Sequence, residues 1–78
     1  MHLHLAINQQ QALLDMVREV VQRHRDQHGV HPAWVMASPG WFDAMGQDAM
    51  GIAVVTAGAP VMCHMMLTGI TVLTRARP

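Results

Sequence analysis

The chain has 78 residues, of which 51% are hydrophobic and only 13% charged, with five basic side chains balancing five acidic ones. That length fits one domain with a thin stability margin. The neutral balance excludes the basic footprint of a nucleic-acid binder, and the single Cys63 excludes an internal disulfide.

Charge is well below the roughly 25% of an average globular domain. Part of the apolar surface is therefore expected to be covered by a partner or by further copies of the chain. A lone cysteine suits a reducing compartment. The leading segment MHLHLAINQQQ has neither a basic n-region nor a long apolar run, so no secretory leader is expected.

In chain order, His2 to Ile7 alternates polar and apolar residues. It reads either as a short strand or as a lead-in to the following helix. Asn8 to His28 carries the strongest helical pattern. Asn8 serves as a prospective N-cap with Gln11 three residues on. Leu13, Leu14, Val17, Val20, Val21 and His24 follow helical spacing on one face, with charged residues on the other. Gly29 and Pro32 then stop the helix. Ala33 to Ala37 reads as a buried strand, and Ser38-Pro39 starts a short second helix carrying Trp41, Phe42 and Met45 inward.

No Asp, Glu, Lys or Arg lies between Asp48 and Arg75. The stretch from Gly51 to Leu73 is long enough to raise a membrane span. Gly51, Gly58, Pro60 and Gly69 interrupt it, His64 sits near its middle, and it is rich in Val, Ile and Thr. Three strands, Gly51 to Thr56, Val61 to Leu67 and Ile70 to Arg75, fit it better. The order is then β-α-β-α-β-β-β. This predicts a single α+β domain over residues 1–78, with a mixed or antiparallel sheet of three to five strands and one long and one short helix on one face.

Two donor sets bear on chemistry. His24 and His28 are four residues apart, so on a helix their imidazoles share a face, and His31 lies just past the helix stop. Three imidazoles would suit zinc or copper. The competing reading makes His24 part of the apolar face and leaves His28 and His31 near the negative helix end. A second, mixed set pairs His2 and His4 with Cys63-His64. Ser38 has no histidine at a recognisable spacing and no phosphate loop is present, so no enzyme activity and no cofactor is expected.

Methionine is heavily used after the first helix, and Met suits adaptable contact surfaces. In a strand, Met65 and Met66 face opposite sides, so one of them leaves the core. The expected contact surface is therefore the strand side of the C-terminal half. It takes in Val61, Met62, Met65, Met66, Leu67, Ile70 and Val72, with Trp34 and Trp41 at its rim.

The segment HPAWVMASPGWFDAM, followed at a distance by LTGITVL, resembles small tailed-phage structural proteins and one segment of the capsid fold those phages share. There a helix leads into a strand, a short helix follows, and a later strand begins at Gly-apolar-x-Val. The matching positions are Pro32, Val35, Met36, Pro39, Phe42, Met45, Gly69, Ile70 and Val72, and the match covers about half the chain. The chain lacks the long arm and spine helix of that fold. The resemblance thus implies a phage or prophage structural or accessory protein, acting in the host cytoplasm or the virion, that self-associates or docks on a larger assembly. A small inhibitor of a host defence complex is the alternative it implies.

Overall fold

The computed structural model describes residues 2–76, with side chains from residue 9 onward. The elements are α1 (His2–His28), β1 (Trp34–Ala37), α2 (Pro39–Met45), a 3₁₀ turn (Gln47–Ala49), α3 (Met50–Ala57), β2 (Val61–Cys63) and β3 (Val72–Arg75). Among the described residues the chain is α+β, with three α-helices and a three-stranded mixed sheet.

The helix α1 is about two turns longer at its start than the capping signal suggested. Residues 2–7, read as a strand or a lead-in, belong to it, and Asn8 lies inside the helix instead of capping it. A strand there would need a neighbour to pair with, whereas a helix closes its own hydrogen bonds, and no Gly or Pro interrupts residues 2–28. Leu13, Leu14, Val17, Val21 and His24 are buried in the face that packs inward, and Val20 at its edge is half-buried. The outer face ties itself together: Gln11 and Arg18 both donate to Asp15, at 3.1 and 2.8 Å, and Gln22 donates to Asp26 at 2.9 Å. Gly29 ends the helix in the left-handed region at φ 72°, its N–H donating to the Arg25 carbonyl.

After β1, Ser38 caps α2 with its side-chain oxygen accepting the Trp41 N–H, and Pro39 opens the helix. Trp41 is fully buried, and its indole N–H donates to the Leu13 carbonyl at 3.4 Å.

The stretch expected to form the strand Gly51 to Thr56 is instead the helix α3. Ala49, Ala53 and Ala57 recur every four residues and are all buried. That small stripe lets α3 approach α1 closely, and packing outweighs the strand preference of Ile52, Val54 and Val55. Gly58 closes α3 in the left-handed conformation, its N–H reaching the Val54 and Val55 carbonyls. The two later strands are shorter than predicted: β2 stops at Cys63 and β3 begins at Val72, with residues 64–71 in turns and loop.

The α2–α3 crossover brings β2 parallel to β1, and β3 then runs antiparallel on the other side, giving the order β2-β1-β3. Val35 and Ala37 of β1, their partners Val61 and Val72, and the inner residues of all three helices form one core. The helices therefore cover the sheet face that carries Val35 and Ala37. Side chains alternate along a strand, so Trp34 and Met36 belong to the other face. Among the described residues, no helix is long and apolar enough to cross a membrane.

Candidate interaction surface

The register places Met62 and Leu73 on either side of Met36, and Arg75 beside Trp34. These five residues make the sheet face opposite the helices. Met62 is 47% exposed, and Trp34, Met36 and Leu73 are half-buried. A shallow hollow of ≈ 320 Å³ lies among Trp34, Met36, Met62, Arg75 and Ala76. Among the described residues its one charge is the Arg75 guanidinium. The turn after β2 lifts Met65 and Met66 into solvent at 77% and 82% exposure, and Ile70 is half exposed.

The predicted contact residues thus divide. Trp34 and Met62 are on the open face, Met65, Met66 and Ile70 are exposed in the segment that follows β2, and Leu67 is half-buried there. Val61 and Val72 pair with Val35 and Ala37, so they lie on the helix side and pack against the core. Trp41 is in the core with no exposed surface and cannot form a rim, because α2 turns it toward Leu13. Sequence reasoning missed Met36 and Leu73. The alternation of Ala-Trp-Val-Met-Ala already put Trp34 and Met36 on one face, but only the register brings Leu73 beside them. It also missed the exposed Ile52, Val54 and Val55, which were assigned to a strand.

The histidines occupy a different seam. His24 is buried between α1 and β3, with Nδ1 2.9 Å from the Thr74 hydroxyl. Its Nε2 is also buried and has no hydrogen-bond partner. An unpaired acceptor costs less than an unpaired donor, so the proton belongs on Nδ1, donated to Thr74. Burial, and then the nearby His28 and His31, hold the His24 pKa below its ordinary 6.5. The His28 ring lies 4.5 Å from that of His24, centre to centre.

His31 does not join them as a ligand. Its Nε2 donates to the Ala57 carbonyl at 2.8 Å, satisfying the end of α3. His24, His28 and His31, weighed against a structural role as ligands for zinc or copper, do not form such a group: among the described residues no group of three or more His, Cys, Asp or Glu is placed to hold a metal. The His2 and His4 side chains, expected to join Cys63-His64, lie outside the described ones.

The Ser38 hydroxyl is fully committed. It donates to the Gly69 carbonyl at 2.7 Å and accepts from the Thr71 and Trp41 N–H groups at 2.9 and 3.2 Å. One donor and two acceptors exhaust a hydroxyl, so Ser38 works as a structural pin between α2 and the loop before β3. The chain matches no protein-family model, no curated protein and no solved structure.

Proposed function

We propose that this chain is a binding and assembly protein that associates with further copies of itself through the open sheet face. The observation that carries this reading is the face itself: Trp34, Met36, Met62 and Leu73 stand together with the three helices all on the other side. A sheet with one covered face normally alternates apolar-in with polar-out. Here the outward positions are aromatic, thioether and aliphatic, the composition enriched at the cores of protein contacts. Among the described residues the hollow's lining carries one charge, the Arg75 cation, which disfavours a strongly basic partner.

The resemblance of residues 31–45 and 67–73 to small tailed-phage structural proteins supports the same class of role. On this reading the chain is a phage or prophage structural or accessory protein, without catalytic activity, working in the infected cell or the virion.

Size-exclusion chromatography with light scattering tests the association. The wild-type chain should run as a discrete oligomer, and Met62→Lys should shift it to a folded monomer. A wild-type chain that stays monomeric at every concentration overturns self-association and favours the inhibitor reading instead. Oligomers that survive Met62→Lys but dissolve on Arg18→Glu or Arg25→Glu would place the contact on α1.

A further inference from the structure

The turn that follows β2 concentrates soft metal donors. Its sequence is Cys63-His64-Met65-Met66, and Cys63 is a free, exposed thiol. The Cys63 Sγ lies 3.9 Å from the Met65 Sδ. From this arrangement we infer that Cys63 and Met65 form a two-sulfur site for a soft monovalent cation, copper(I) or silver(I).

The first argument is geometric. Metal–sulfur bonds to a closed-shell d¹⁰ first-row ion are about 2.3 Å long, so two sulfurs 3.9 Å apart subtend roughly 115° at the ion. That is close to the trigonal angle, and a cation can enter between the two sulfurs with little movement of either. The second argument is chemical. A thiolate with a thioether selects copper(I) over the harder divalent ions, which prefer nitrogen and oxygen. No carboxylate lies between residues 49 and 74 to offer a hard alternative.

The third argument is that the turn is braced. The His64 N–H donates to the Ala37 carbonyl at 2.8 Å, extending the β1–β2 pairing by one bond. The Leu67 N–H donates to the His64 carbonyl at 3.1 Å, and the Met66 N–H donates to His64 Nδ1 at 3.2 Å. His64 is therefore a positioning residue: its ring accepts from the peptide N–H that follows Met65. Met65 is 77% exposed, so it is not committed to the core and is free to bind. Loading replaces the Cys63 S–H bond with a sulfur–metal bond and releases one proton, with no change of oxidation state. This site is independent of the self-association reading, which concerns the sheet face.

The test is an anaerobic titration of the full chain with silver(I), which is redox-inert, repeated with copper(I) and read by thiolate-to-metal absorption and proton release. The expected result is one equivalent bound and one proton released per chain. Cys63→Ser should abolish binding, Met65→Leu should weaken it about tenfold or more, and Met62→Leu, on the opposite side of β2, should leave it unchanged. Wild-type affinity in Met65→Leu would overturn the site, because Cys63 would then be acting as an isolated thiol. So would half an equivalent per chain, which means metal bridging two Cys63 residues, or ready displacement of silver(I) by zinc(II).

Discussion

Gly40 and Gly69 meet backbone to backbone: a Cβ added at Gly40 would stand 2.4 Å from the Gly69 carbonyl oxygen. This close approach is what lets the Ser38 hydroxyl reach both Gly69 and Thr71 and lock α2 to the loop before β3. Gly69 itself sits at φ 65°, where side chains are strained, although a Cβ added there would meet nothing within 4 Å. Gly40→Ala should destabilise the chain by about 1–3 kcal/mol through overpacking. Gly69→Ala should cost about 1 kcal/mol from backbone strain alone. Urea denaturation of the two variants measures the order. Equal and negligible effects would mean that the loop moves away from α2 without cost.

Ser38→Ala removes a fully buried hydroxyl with three partners. It leaves the Thr71 N–H and the Gly69 carbonyl short of a hydrogen bond and takes the side-chain cap from α2. The expected loss is about 1–3 kcal/mol, or on the order of 4–8 °C in Tm per kcal/mol for a domain of this size. Ser38→Thr keeps the hydroxyl but adds a methyl group where the residue has no exposed surface, so it should recover only part of the loss. Thermal unfolding of both variants decides this.

The legible parts of this fold were those with local causes. Gly29 ended α1, Ser38-Pro39 opened α2, and the spacing of Leu13, Leu14, Val17 and Val21 gave the packed face. The strand readings failed where partners decide. Residues 2–7 alternate, but alternation makes a strand only when a neighbour offers a ladder, and the helix needs none. Ile52, Val54 and Val55 favour a strand locally, yet the stripe Ala49, Ala53, Ala57 decides for a helix against α1. An outward apolar sheet face followed from the absence of charge after Asp48. Its membership depended on the register, which brings Met36 and Leu73 together and sends Val61 and Val72 to the core. The Cys63–Met65 pairing was hidden because a strand through Leu67 would have put Cys63 and Met65 two residues apart along an extended chain.

His24 makes stability depend on pH. Burial, with His28 and His31 nearby, lowers its folded-state pKa below the ordinary 6.5. The groups around its seam are Arg23 and His28 on α1, the Thr74 hydroxyl on β3 and His31 beyond Gly29. None of these is a carboxylate that would welcome the charge. Below 6.5 the unfolded chain binds a proton at His24 more readily than the folded chain does. Stability from this residue is thus fully present above 6.5 and falls as pH drops through 6.5 toward the folded-state value. Tm should decline between pH 7 and pH 5, and His24→Gln should flatten that decline while lowering Tm at pH 7. An unchanged slope in His24→Gln would mean that other groups set it.

Charge placed along the C-terminal half separates the two sides of the sheet. Met62, Met65 and Met66 are 47%, 77% and 82% exposed, so a lysine at each keeps its charge in water. These three variants should fold with a Tm within a few degrees of the parent, since exposed substitutions usually change stability by about 0.5 kcal/mol or less. Leu67 is half-buried, and Leu67→Lys should cost more than any of the three while still allowing the stem to snorkel outward. Val17 and Val35 have no exposed surface. Val17→Asp and Val35→Asp each bury an unpaired carboxylate in a core with only a thin margin, and both should abolish folding. Circular dichroism at 25 °C scores folding, and light scattering on the folded variants scores association. If Met62→Lys, Met65→Lys and Met66→Lys all unfold the chain, these methionines are not on an open surface. If Met62→Lys stays folded and associates as the parent does, the sheet face is open but is not where copies meet.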